Sequence, residues 1–288
     1  MSSRNKGILC ILSSAFFFAL MSVFVRLSGD VPSMQKVFFR NLVAIVIAVV
    51  MLAKDHQPVS LSGPAKVSLF FRALLGTIGV ICNFYAVDHL VLADASILNK
   101  MSPFFTVLFS WLILKEKVMP IQFSLIFGAF LGSIFVVKPT FSNLALVPSL
   151  LGFFGGICAG AAYTMVRKLG EAGEKGPVIV LFFSVFSCVV VLPWLVFGYH
   201  PMTWQQAGIL LLAGCAAAGG QFAITAAYRY SPASRISIYD YSQLIFSTML
   251  GFFIFGQVPD GWSFLGYGII CLMAIFMFVY NNRKEKCP

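Results

Sequence analysis

Charge is scarce in this chain. Only 10% of its 288 residues are Asp, Glu, Lys or Arg, against about 25% in an ordinary soluble domain. A water-facing surface of usual composition is excluded, and with it intrinsic disorder. Histidine is scarcer still: His56, His89 and His200 are scattered among connections without metal-ligand spacing, so no metal is expected. The seven cysteines include no C-x-x-C pair and no C-terminal prenylation box, which excludes a disulfide scaffold and a lipid anchor of that kind. Cys10, Cys82, Cys158, Cys188, Cys215 and Cys271 lie in apolar runs and read as small apolar residues. A P-loop is missing, so no ATP-driven pump is encoded. No cofactor is expected.

Apolar residues fill the space: they make up 59% of the chain, and the mean hydropathy is +0.91. Thirty-one phenylalanines suit contact with lipid and twenty-four glycines suit close helix packing. The formal net charge of +10 would suggest nucleic acid in a soluble protein. A membrane protein concentrates Lys and Arg in cytoplasmic loops in any case, so nucleic acid is not expected as a partner and lipid is.

About 20 apolar residues cross a bilayer. Ten such runs occur: Gly7–Leu27, Met34–Ala53, Val67–Val87, Ala95–Leu114, Ile121–Val137, Pro148–Leu169, Pro177–Phe197, Gln205–Tyr228, Ser234–Phe255 and Gly261–Tyr280. The first follows Arg4 and Lys6 in the manner of a signal peptide, but its length and the lack of a small-residue cleavage site read as an uncleaved helix. With the N-terminus cytoplasmic, fourteen of the twenty Lys and Arg fall on the cytoplasmic side and only Arg26, Lys36 and Lys138 on the other. Both termini are therefore expected in the cytoplasm.

At an offset of 141 residues, FVRLSG (Phe24–Gly29) meets MVRKLG (Met165–Gly170), and Gly79, Ala86, Ser96 and Phe105 meet Gly220, Ala227, Ser237 and Phe246. Residues 1–140 and 141–288 thus read as two five-span repeats. Because five is odd, the second enters the membrane inverted, the architecture of many alternating-access carriers. The expected class is an all-α membrane protein of ten transmembrane helices.

The segment FYAVDHLVLADASILNKMSPFFTVLFSWLILKEKV (Phe84–Val118) carries Tyr85-Ala86 at the end of the third span, Pro103 in the fourth and Glu116 at its close. With its counterpart AYRYSPASRISIYDYSQLIFSTMLGFFIFGQV, the chain resembles the ten-helix EamA-type branch of the drug/metabolite transporter superfamily over nearly its whole length. The second unit departs from the pattern, with Leu244 for the proline and Gln257 for the glutamate. The resemblance implies solute transport across a bacterial inner membrane.

The fourth and ninth spans each carry a polar stripe at intervals of three and four: Ser96, Asn99, Lys100, Pro103, Thr106 and Ser110, and Ser237, Asp240, Tyr241, Leu244, Ser247 and Gly251. A charge inside a span costs about 2.5–3.5 kcal/mol on insertion scales, so Lys100 and Asp240 should face protein or a water-filled cavity. Either the stripes line a solute path, or the two charges pair and staple the halves. Straight helices would put them roughly 14 Å apart along the membrane normal, at 1.5 Å per residue, which favours the path. Further candidates are Arg40, Asn83, Tyr163, Gln221 and Tyr228. Arg72 shares a face with Gly76, Gly79 and Asn83, and its side chain can equally snorkel to an interface. Glu116 is expected to be neutralised by Lys115 and Lys117. The glycine series Gly152, Gly156, Gly160 and Gly128, Gly132 are packing seams or sliding surfaces, and the fifth and tenth spans are expected to face lipid or a second protomer.

These residues point to a secondary transporter of a small amino-acid-like or zwitterionic metabolite. The alternative is export of lipophilic cations or drugs against protons carried by Asp240. An intramembrane aspartyl protease is a distant third, since Tyr239-Asp240 finds no second aspartate in Gly266-Tyr267-Gly268.

Overall fold

The computed structural model describes residues 3–55, 63–89, 98–137, 146–256, 258 and 261–286. All regular structure among them is helical, in ten helices once the short turns that open the ninth are counted with it. They are α1 (Ser3–Leu27), α2 (Ser33–Asp55), α3 (Gly63–His89), α4 (Ser102–Leu114), α5 (Pro120–Val137), α6 (Leu146–Glu171), α7 (Gly176–Phe197), α8 (Trp204–Tyr230), α9 (Ala233–Phe255) and α10 (Gly261–Lys286). Eight of these are long and apolar enough to cross a membrane, and the two shorter apolar stretches are Ser102–Leu114 and Pro120–Phe135. Large apolar side chains such as Leu112, Phe127, Val189 and Phe276 stand exposed around the outside. In water this surface would be costly; against lipid it is the expected one.

Local signals explain the helix ends. Thr203 and Gln206 close a reciprocal capping box at the start of α8. At the end of α4, Lys115 turns into the left-handed region at φ 53° and its N–H reaches the Ser110 carbonyl, which stops the helix before Pro120. Gly256, at φ 64°, ends α9 without the strain a side chain would bring.

Two spans depart from the unbroken helices expected. Regular α4 starts only at Ser102, with Pro103 in its first turn and residues 100–101 in a non-helical turn before it. Within α9, the turn Ala233–Ile236 leads into a tighter 3-10 stretch, Ser237–Tyr241, before regular helix resumes at Ser242. Both interruptions fall on the polar stripes.

Helices α1, α2, α3 and α5 pack mainly on α8, α7, α6 and α10, while α4 packs on α6 and α9 on α1. Glycines permit the closest approaches. A Cβ on Gly160 would stand 2.6 Å from that of Phe105, one on Gly155 3.2 Å from the Gly79 carbonyl, and one on Gly132 2.9 Å from the Ile269 side chain. The Gly128 and Gly132 face of α5 is thus covered by α10 of the same chain, so this face of the pair is turned away from lipid.

Candidate functional site

Between the helices lies a cavity of about 860 Å³, lined from α1, α2, α3, α6, α7, α8, α9, α10 and the turn before α4. It reaches Gly29 and Asp30 after α1 and Val258 after α9, so it extends to the bundle end that carries the α1–α2 and α9–α10 connections. Of the residues singled out from the sequence, Arg40, Asn83, Asn99, Lys100, Tyr163, Gln221 and Asp240 line it, as do Arg72, Leu244, Ser247 and Gly251. Three others form its backing. Tyr228 stacks on Tyr163 with ring centroids 5.3 Å apart, its hydroxyl lies 3.3 Å from Ser237 Oγ, and the Tyr241 hydroxyl donates to the Lys100 carbonyl at 3.0 Å. Ser96 and Gln257 lie outside the described residues.

Lys100 and Asp240 are in direct contact, with Nζ 3.1 Å from Oδ2 and both side chains buried. The lysine also donates to Gln243 Oε1 at 2.7 Å and to the Asp240 carbonyl at 3.3 Å. The separation of roughly 14 Å expected from straight helices is therefore wrong. That expectation ran both residues along unbroken helix axes, whereas each sits in an interrupted stretch just before its regular helix. Half-helices that begin inside the bundle bring their first residues together, and here they meet at the cavity wall. The pair staples α4 to α9 and faces the cavity at once.

Arg72 does not snorkel. It is 2% exposed and spans the space above Gly76, where an added Cβ would fall 2.1 Å from Nη1. Its guanidinium carbon lies 4.2 Å from the centroid of Phe183, and that of Arg40 lies 5.9 Å from Phe18. Both arginines line the cavity. Among the described residues no carboxylate stands within ion-pair distance of either. Gln243, three residues beyond Asp240 on the same helix side, was also readable as a wall residue from spacing alone. Ser247 and Thr248 complete that side.

The opposite bundle end is closed by charge pairs. Arg167 Nε meets Glu116 Oε1 at 2.8 Å and its Nη2 meets Glu171 at 2.9 Å, while Nη1 reaches the Arg229 carbonyl at 3.4 Å. Glu116 is thus held by Arg167 of α6 rather than by its sequence neighbours Lys115 and Lys117. Those flank the helix end, whereas α6 packs on α4 and delivers its guanidinium to the carboxylate. Further out, Lys175 pairs with Asp55 at 2.6 Å.

A cavity inside an apolar helical bundle suits passage of a solute, and comparison with known proteins assigns the family. The model of the EamA-like transporter family matches residues 5–138 and again 147–279. The chain belongs to this family. It is a membrane transporter and not an enzyme. It is 29% identical over 272 residues to the pseudopaline exporter CntI of Pseudomonas aeruginosa, covering 94% of each chain. It is 26% identical to a riboflavin transporter of Vibrio cholerae, covering 98% of this chain and 95% of that one. Solute carrier family 35 member G1 of Homo sapiens is 27% identical, over 93% of this EamA-like chain and 77% of its own length. A crystal structure with 14% sequence identity superposes at a TM-score of 0.81 over 98% of this chain and 99% of its own, a likeness of fold.

Proposed function

We propose that this protein is a secondary active transporter that moves a small amino-acid-like metabolite across a bacterial inner membrane by alternating access. Residues 1–140 and 141–288 are its two inverted five-helix repeats, with both termini cytoplasmic. Three observations support the repeat: the common sequence offset, the two separate family matches, and the packing pattern. Exchanging each helix for the one five places on turns the α1–α8 contact into α6–α3 and the α4–α6 contact into α9–α1, and all four are present.

The observation that carries the reading is the cavity itself. It is large enough for a metabolite, it lies between the two proposed halves, and its walls combine five arginine and lysine side chains with two aspartates, amides and tyrosine. Arg40, Asn83, Asn99, Tyr163 and Gln221 contact the solute, and Lys100 with Asp240 forms a wall that offers hydrogen bonds without net charge. On the positive-inside orientation, the cavity faces outward and the Arg167–Glu116 end is the closed cytoplasmic gate. Cation export driven by proton exchange at Asp240 is less well supported, because that carboxylate is already neutralised by Lys100.

The test is uptake or efflux in proteoliposomes of amino acids, organic acids, nucleosides and quaternary amines, driven in turn by solute and proton gradients. Saturable movement of one amino-acid-like class, lost in Gln221→Leu and Asn99→Leu, is the expected result. Movement of quaternary amines alone, abolished by Asp240→Asn, would replace this reading with cation export.

A further inference from the structure

We infer that Arg40 and Arg72 form an anion subsite, and that the solute carries net negative charge as carboxylates in excess of its amines. This rests on the transport reading above and narrows its substrate class from a balanced zwitterion to an acidic organic molecule.

Positive charge exceeds negative charge on the cavity wall. Arg26, Asp30 and Lys36 line the cavity mouth beside the α1–α2 connection; deeper in, Lys100 cancels Asp240 at 3.1 Å, which leaves the guanidinium groups of Arg40 and Arg72. A balanced zwitterion would leave both charges uncompensated in a poorly screened interior, and a cationic solute would add to them. A solute with surplus carboxylates neutralises them. An isolated charge in a membrane protein is retained where it meets a partner or serves a path; with no carboxylate beside either arginine among the described residues, that partner is the cargo.

Arg72 is held by a ring against its guanidinium. Its residue is 2% exposed, yet its Nε has no hydrogen-bond partner. A buried donor left unsatisfied is unusual and costly. The ring of Phe183 lies 4.2 Å from the guanidinium carbon, and Gly76 provides the room in which the group lies. A ring in that position fixes the group without using its N–H donors, as cation–π contacts do. Arg40, from the neighbouring α2, is held against Phe18 in the same manner. Two planar forks on adjacent helices match carboxylates, each of which takes a guanidinium with two parallel hydrogen bonds. The cavity, at about 860 Å³, is far larger than an inorganic anion needs, so the anion belongs to an organic solute.

The test compares ligands that differ in charge and little else. Melting temperatures of the purified full chain in detergent are measured with glutamate against glutamine, aspartate against asparagine, citrate, and inorganic phosphate. The wild type, Arg72→Gln, Arg40→Gln and Arg72→Lys are compared. The acids should raise the melting temperature and their amides should not, and the affinity should fall roughly thirtyfold or more in either glutamine variant. Arg72→Lys should recover only part of it, because lysine keeps the charge and loses the fork. The ligand-free melting temperature supplies a separate readout. Removing an uncompensated charge should leave it unchanged or higher, whereas a structural arginine would lower it. Stabilisation by glutamine equal to that by glutamate, unaffected by the arginine variants, would overturn the anion subsite while leaving the transport reading intact. Stabilisation by phosphate alone, or by none of the acids, would also overturn it.

Discussion

Helices α6 and α8 pack on one another, whereas α1 and α3, their counterparts in the proposed repeat, make at most marginal contact among the described residues. At the α6–α8 contact Tyr163 stacks on Tyr228, and the backbone of Arg229 lies so close to Gly170 that an added Cβ would come within 2.8 Å of its Cα. Between α1 and α3 lies the cavity instead, with Phe18 and Arg26 on one side and Arg72 and Asn83 on the other. Arg167 and Arg26 occupy equivalent places in the offset, yet Arg167 is locked to Glu116 while Arg26 lies over Phe255 at the cavity wall. On the proposed repeat, one sequence pattern is thus held in two packings, one shut and one open. If the halves exchange roles, the same cavity faces the other side of the membrane, which is alternating access in structural terms.

The largest disturbance to this asymmetry should come from the buried Lys100–Asp240 pair that staples α4 to α9. Asp240→Ala leaves Lys100 buried without its carboxylate, and unfolding free energy should fall by about 3–5 kcal/mol, measured as a drop in melting temperature. Replacing both residues, as Lys100→Met with Asp240→Leu, should recover most of that loss. If the double variant proves no better than the single one, the pair does more than neutralise itself. Next comes the α4–α6 seam: Gly160→Ala brings a methyl against Phe105 Cβ and the Thr106 backbone nitrogen, and should cost about 1–3 kcal/mol by the same assay.

A smaller effect is expected at the closed end. Glu116→Gln removes one of two carboxylates from Arg167, leaving Glu171, and should weaken the closed end by about 1 kcal/mol. That is a several-fold shift in the population of the two packings, visible as new accessibility of the cavity from the gate side. The smallest belongs to Lys175→Ala. Its bond to Asp55 is partly exposed on both sides, and the expected change stays at about 0.2–1 kcal/mol.

Much of the helical layout was readable from the apolar runs, because lipid demands about 20 apolar residues per crossing. The stripe of the ninth span was readable too, since helical spacing puts Asp240, Leu244, Ser247 and Gly251 on one side, and all four line the cavity. What escaped was tertiary. Pro103 was read as one member of an unbroken span although proline favours a first helical turn, and no proline or glycine marks the 3-10 stretch of Ser237–Tyr241. The meeting of Lys100 with Asp240 therefore could not be read from depth along ideal axes. Arg72 looked free to snorkel because its fate depended on Phe183, more than a hundred residues away. The partner of Glu116 was hidden for the same reason: Arg167 reaches it only once α6 lies on α4.

The most direct test of the open and shut packings is side-specific labelling of one cavity residue. Ser247→Cys, in a chain whose seven native cysteines are replaced, is exposed in oriented vesicles to a membrane-impermeant thiol reagent from either side. Labelling predominantly from the side of the α1–α2 connection, with access from the other side gained on adding Glu116→Gln, is the predicted result. Equal labelling from both sides regardless of Glu116, or none from either, would contradict a cavity gated at the Arg167–Glu116 end.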